Sequence, residues 1–251
     1  MQRYFISEKK QELNKTLTIN GEDVHHISRV IRMQPGDKIV CCTSDGYEAL
    51  CEIAEITNDL VSCHIIEWLS VNHELPVRIS IASGLPKGDK LEWIIQKGTE
   101  LGAYSFIPFN AARSIVKLDD KKAGKKIERW QKIAKEAAEQ SYRNIVPHVF
   151  KPKSFTELLG EAKLYDVKIV AYEEAAKAGE KKNLAKAFEQ LKEGESMIVV
   201  FGPEGGLTED EIKKLEDEGF IICSFGPRIL RTETAPLYLL SAVSYYFELS
   251  R

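Results

Sequence analysis

At 251 residues the chain can hold one domain or two, and 43% hydrophobic with 29% charged residues is the composition of an ordinary soluble globular protein. A net charge of −3 excludes a uniformly basic nucleic-acid binder, no apolar run reaches the roughly 18 residues of a membrane span, and the opening MQRYFISEKKQEL lacks the apolar core of a signal peptide, so a cytoplasmic location is expected. Five cysteines, none in a C-x-x-C pair, argue against a disulfide framework and against a zinc site.

Residues 1–68 read mostly as short strands, within a first domain expected over 1–72. Residues 3–7 and 16–19 are strand candidates, and 21–33 look helical. Turn signals at Pro35-Gly36 and Asp45-Gly46 set off strands at 38–43, 47–57 and 60–68. Several strands within about 70 residues predict a small β-barrel. Residues 69–76 (LSVNHELP) have the composition of a linker, so a second domain is expected over 73–251. There the pattern changes to strands alternating with helices. Strands are predicted at 79–85, 105–109, 146–150 and 167–172. Helices are predicted at 89–101, 125–142, 155–159 and 183–191. Repeated βα units predict an α/β fold, a mostly parallel sheet with helices on both faces.

The chain closes on two loop-bearing units. In MIVVFGPEGGLTEDEIKKL an apolar strand ends at Phe201, and Gly202, Pro203, Gly205 and Gly206 make a tight turn. Thr208 and Glu211 then form a Thr-x-x-Glu capping box that fixes the next helix start. A glycine loop running into a helix usually suggests nucleotide phosphate. Here the loop has no Lys or Arg, and Glu204, Glu209, Asp210 and Glu211 would repel one. A nucleoside ligand without phosphates remains compatible, and S-adenosylmethionine is such a ligand. A second apolar strand, 220–225, ends at Gly226-Pro227. RILRTETAP then leads to a final apolar helix at 237–249, with Thr234 as a candidate cap and Pro236 in its first turn. Two Gly-Pro turns at the ends of two strands point to one shared crevice.

These residues resemble a known family. FGPEGGLTEDE and SFGPRILRTETAP are similar to the cofactor loops of the SPOUT methyltransferases. More closely, they resemble the RsmE family, the 16S ribosomal RNA uridine-N3 methyltransferases. The likeness extends to LPKGDKLEWIIQKGTELG, EAAEQSYR, RYF and HHISRVIRM, nearly the whole chain. It implies a PUA-like barrel at residues 1–72, often used to hold RNA. It implies a trefoil-knotted methyltransferase domain at 73–251, with the knot in residues 166–251. It implies a homodimer, S-adenosylmethionine as cofactor, and 16S rRNA in the small ribosomal subunit as partner. The cofactor residues carried over are Gly202, Pro203, Gly205, Gly206, Phe225, Gly226, Ile229, Leu230 and Ala235.

Uridine N3 holds a proton at neutral pH and must lose it to accept a methyl group. A base or a cation facing the uracil oxygens would help. Arg231 is the candidate for anion stabilisation or phosphate positioning, unless it pairs with Glu233. Glu139 is the candidate proton acceptor, unless it pairs with Arg143 one helical turn away. For RNA the candidates are Arg3, Arg29, Arg32, Lys87, Lys90, Arg113, Arg129 and Arg143. Nine basic residues lie between Arg113 and Lys135, among them Lys117, Lys121, Lys122, Lys125 and Lys126, which make either a phosphate-binding patch or a solvated loop. Adjacent His25 and His26 diverge on a helix and do not suggest a metal. The competing readings are a SPOUT enzyme acting on tRNA or on a 23S rRNA ribose, and a non-catalytic RNA-binding assembly factor. A dehydrogenase or ATPase would need G-x-G-x-x-G or G-x-x-x-x-G-K-[ST], which are absent.

Overall fold

A computed structural model describes residues 1–116, 120–177, 180 and 182–250, the side chains of 120–123, 176 and 177 excepted. Lys117 of the basic run lies outside the described residues, as do the side chains of Lys121 and Lys122. The chain forms two compact units. One takes Met1–Glu74 with Ala138–Val146, the other Leu75–Ala137 with Pro147–Arg251.

The first unit is a five-stranded sheet. It is built from β1 (Arg3–Phe5), β2 (Thr16–Asn20), β3 (Lys38–Cys42), β4 (Glu48–Ile56) and β5 (Leu60–Leu69), in the order β1-β3-β4-β5-β2. β1 runs parallel to β3 and the other pairs are antiparallel. Register shifts after Leu50 and Ile53 interrupt the β4–β5 ladder. Such irregularities bend a strand, and this sheet curls around its own apolar face. That face carries Ile39, Cys41, Cys51, Ile53, Val61 and Cys63, at alternate positions along their strands, with Tyr4, Ile19 and Ile27. The predicted helix is there in two parts: α1 (Glu22–His25), then a wider π-helical turn over His26–Ile31 that ends on Arg32 in a left-handed conformation.

The second unit holds a wholly parallel sheet. Its strands are β6 (Arg78–Gly84), β7 (Ser105–Asn110), β8 (His148–Val149), β9 (Lys153–Ser154), β10 (Val167–Ala171), β11 (Ser196–Phe201) and β12 (Ile221–Cys223). The order is β12-β10-β11-β6-β7-β8, with β9 also on β7. β11 is buried along its whole length, as a strand covered on both faces must be. On one face Ile107, Ile198 and Val200 meet Leu158 of α4 (Phe155–Ala162) and Ile212 and Leu215 of α7 (Glu209–Asp217). Phe106 points to the other face, against α2 (Lys90–Glu100). A Cβ on Gly98 there would lie only 2.8 Å from the Phe106 ring and 3.6 Å from Leu240 of α8 (Thr234–Ser244). Helices therefore cover both faces.

Several predicted bounds move. The strand at 146–150 is only His148–Val149. α3 spans Asp120–Gln140 and stops short of Tyr142, which is left-handed, while Arg143 N–H bonds back to the Ala138 carbonyl. β9, α5 (Glu173–Lys177) and three residues of α4 were not foreseen, being too short or too polar to show a period. α6 (Asn183–Gln190) falls as predicted. Thr234 is not the cap of α8. The Arg231 carbonyl already accepts the Thr234 and Ala235 N–H groups, so the helix starts there and Pro236 sits in its first turn. The last residues, Tyr245–Leu249, widen into a π-turn.

Candidate functional site

Three loops leave the carboxyl ends of the adjacent strands β12, β10 and β11. They enclose a cavity of about 750 Å³, within the range of small-molecule sites. Open parallel sheets place their ligands at this end of the strands.

The β11 loop is shaped by its glycines. A Cβ on Gly202 would lie 3.0 Å from the Gly206 carbonyl carbon and 3.1 Å from Leu207 N, so any larger residue would have to push the folded-back loop outward. Gly206 N–H closes the turn onto the Pro203 carbonyl at 2.8 Å, with φ at +69°. Gly84, at the end of β6, lets Pro203 approach, since a Cβ would sit 2.6 Å from the proline ring. The capping box forms as the sequence requires. Glu211 accepts from Thr208 N–H at 2.8 Å while its own N–H bonds the Thr208 hydroxyl at 3.2 Å. Glu211 is buried and also accepts Ala112 N–H at 2.8 Å.

Charged side chains tie this loop down. Arg113 donates to the Gly205 carbonyl at 3.0 Å. Glu204 accepts from Lys90 at 2.8 Å and from Lys87 N–H at 3.2 Å. Burial opposes the Glu204 charge, but those hydrogen bonds outweigh it and hold the carboxyl below its ordinary range. Lys90 is raised in turn, chiefly by its bond to Glu204.

The β12 loop supplies the opposite wall. Phe225 packs edge-on to Phe201, with ring centroids 5.7 Å apart, and stacks on Tyr238 at 6.2 Å. Gly226 follows at φ +82°. Ile229, Leu230, Arg231 and Ala235 continue the lining. Ile229 is 70% exposed, which leaves its apolar side chain available to a ligand. Among the described residues the Arg231 side chain has no hydrogen bond or ion pair. Glu233, its expected alternative partner, lies 3.5 Å from Lys90 instead.

Of the expected cofactor residues, Gly202, Pro203, Gly206, Phe225, Gly226, Ile229, Leu230 and Ala235 line the cavity. Gly205 stands beside it, against the Arg113 side chain, where a Cβ would lie 3.0 Å from that of Arg113.

Residues 73–244 match the family model of an RNA methyltransferase domain, and residues 19–66 that of an RNA methyltransferase PUA domain. Along its full length the chain is 60% identical to the ribosomal RNA small subunit methyltransferase E of Bacillus subtilis, over 99% of that protein. The chain belongs to the RsmE family. The family's member from Synechocystis is 31% identical over 95% of this chain and 76% of its own. The solved structure of the Neisseria gonorrhoeae member, bound to S-adenosylmethionine, superposes with a TM-score of 0.82 at 28% identity, over 98% of each chain.

Two residues expected to touch RNA are internal in this RsmE-family chain. Arg3 is 5% exposed; it donates to Glu48 and, at 3.0 Å, to the Arg143 carbonyl. Arg143 is 3% exposed and grips Glu74 with two nitrogens, one bond measuring 2.8 Å. Both guanidinium groups are buried and consumed by ion pairs, which no spacing in the sequence could reveal. Glu139 clusters with the first unit, where its charge bears on buried Tyr4, and it does not line the cavity. Lys90 and Arg113 line the cavity, and Lys87 meets its loop through the backbone. Arg129 pairs with Glu92 at 2.7 Å. Arg29 and Arg32 are exposed on the first unit. His26 Nδ1 meets the Tyr4 hydroxyl at 3.1 Å, and no metal-binding cluster exists among the described residues.

Sequence reasoning missed the third wall. Tyr172, Glu173 and Glu174 follow β10 and line the cavity, and so does Arg228. The signal was available: β10 is an apolar strand in the same parallel series, so its following residues belong at the same edge.

Proposed function

We propose that this chain is an S-adenosylmethionine-dependent methyltransferase acting on N3 of a uridine in 16S rRNA of the small ribosomal subunit. The observation that carries the reading is the cavity itself. Its glycine loop is so tight that a Cβ at Gly202 would press on the Gly206 backbone at 3.0 Å. Its walls are apolar at Phe201, Phe225 and Leu230. Its lining carries Glu173, Glu204 and Glu209, which suit a ligand with a cationic tail, and Lys90 is already occupied by Glu204. The donor set therefore fits this cofactor. The β11 and β12 loops would hold its nucleoside by backbone groups and apolar packing. When bound, the cofactor supplies a methyl group activated by a positive sulfur.

The rest of the chemistry belongs to the chain. The methyl carbon–sulfur bond breaks as the N3–carbon bond forms, and the N3 proton leaves for a base. Arg231, at the cavity and free of partners among the described residues, stabilises the negative charge that this proton loss puts on the uracil oxygens. N3 is hidden in a base pair, so the uridine has to be unpaired or flipped out. A homodimer belongs to the same reading, as does a trefoil knot in residues 166–251.

The test is transfer from labelled S-adenosylmethionine to small subunits from a strain lacking this protein, followed by nucleoside analysis. A 3-methyluridine peak is expected. Transfer to another atom or another RNA would leave a methyltransferase of different target, and no transfer with RNA still bound would favour an assembly factor.

A further inference from the structure

A second cavity, of about 410 Å³, opens in the same unit. Its floor is apolar, formed by the buried residues Leu85, Pro86, Leu91 and Trp130. Its rim is charged. Lys125, Lys126 and Arg129 come from α3, and Asp89 and Glu92 from the start of α2. Gly88 at the mouth has φ +62° and open space where a Cβ would stand. An apolar floor below a rim with three cations suits a nucleotide. The base loses water against the floor, and the phosphate meets lysine and arginine.

Two further observations say which nucleotide. The segment from Leu85 to Lys90 is a wall shared with the cofactor cavity. Lys87 N–H and the Lys90 ammonium hold Glu204 of the cofactor loop, while Leu85, Pro86, Gly88 and Asp89 line the second cavity. One short segment thus borders both cavities, which places them side by side on this unit. Lys125, Arg129 and Lys132 also follow one another at four- and three-residue steps along one face of α3. That cationic track continues past the cavity, as a polyanionic strand requires and a single nucleotide does not.

We infer that this cavity receives a nucleotide of the RNA strand flanking the methylated base, its phosphate held by Lys125, Lys126 and Arg129. The inference rests on the RNA methyltransferase reading. Glu92 plays the complementary part. It holds Arg129 at 2.7 Å, and Arg129 is 66% exposed. Exposed ion pairs contribute little net stability, so Arg129 is free to exchange Glu92 for a phosphate, which it can bind through two nitrogens. Glu92 is thus a stand-in for the phosphate and a competitor with it.

The test measures binding of a 16S rRNA transcript to the full chain across a salt series, with Arg129→Gln and Glu92→Gln. Arg129→Gln should weaken binding about tenfold and lower the salt slope by about one. It should raise KM for small subunits and leave cofactor affinity, read by calorimetry, unchanged. Glu92→Gln should bind RNA at least as tightly as the unaltered chain. A purely structural ion pair would make both variants fail alike, because each breaks the same contact. Equal RNA affinity for Arg129→Gln and the unaltered chain, or a parallel loss in both variants, overturns the inference. Millimolar uridine or adenosine monophosphate should leave the RNA bound; displacement would overturn it in favour of a free-nucleotide site. An unaltered chain that methylates subunits, beside an Arg129→Gln variant that binds RNA normally, sinks this pocket alone. An unaltered chain that binds RNA and transfers nothing sinks the parent reading alone.

Discussion

Gly202 and Gly226 both line the cofactor cavity, yet they are glycines for different reasons. At Gly202 the obstacle is space, because a Cβ would lie 3.0 Å from the Gly206 backbone. At Gly226 it is conformation, φ being +82° with only the Tyr238 hydroxyl nearby. Gly202→Ala should therefore displace the loop and lower cofactor affinity more than tenfold by titration calorimetry. Gly226→Ala should instead cost about 1–2 kcal/mol of stability in urea. Arg231 has no partner to lose among the described residues, so Arg231→Ala should leave Tm and cofactor affinity unchanged. Turnover should fall by about 10²–10³ if the residue meets the developing charge; undiminished turnover would make it a bystander. Arg143 is the opposite case. Removing it leaves the half-buried Glu74 with only the Asn144 and Ile145 N–H groups, so Arg143→Ala should destabilise the chain by about 1–3 kcal/mol in urea. A change confined to RNA affinity would contradict that placement.

At the scale of elements, the β11 loop depends on ties from outside itself. Thr208 and Glu211 fix where α7 begins, Arg113 holds the loop carbonyls, and Lys90 holds Glu204. The last tie has a pH signature. The Glu204 carboxyl sits below its ordinary range in the folded chain. Its contribution is therefore complete above the ordinary glutamate value, about 4.3, and is lost as pH falls through the lower folded value. The thermal midpoint should drop more steeply below about pH 4 in the unaltered chain than in Glu204→Gln. Identical pH profiles would show that the Lys90 contact does not hold the loop.

At the scale of the molecule, α8 has no clear polar face. Leu239, Leu240 and Val243 are buried, yet Tyr238, Tyr245 and Leu249 remain exposed on the helix and the turn that follows it. A helix apolar all round normally has its other side covered. A second copy of the chain is the expected cover. Light scattering should give twice the chain mass, and Tyr245→Glu should shift the population toward monomer. A monomer at micromolar concentration would remove the dimer from the proposal.

Local elements and the two Gly-Pro loops were legible in the chain alone. Apolar runs of the right length gave β6, β10 and β11, since a strand buried on both faces needs uninterrupted apolar residues. Glycine, proline and the Thr208–Glu211 box marked the loops, since turn and cap chemistry is local. The motif likeness identified the family and pointed to loop residues that the structure brings to one cavity. Only the tertiary structure decided which charges are spent. Arg3 and Arg143 look like surface cations in the sequence but are neutralised by Glu48 and Glu74, 45 and 69 residues away. Arg231 looked ready to pair with Glu233 and does not. The third wall at Tyr172–Glu174 and the second cavity at Trp130 likewise exist only where distant segments meet. Desolvation and long-range pairing depend on which atoms become neighbours, and that is fixed by packing rather than by spacing along the chain.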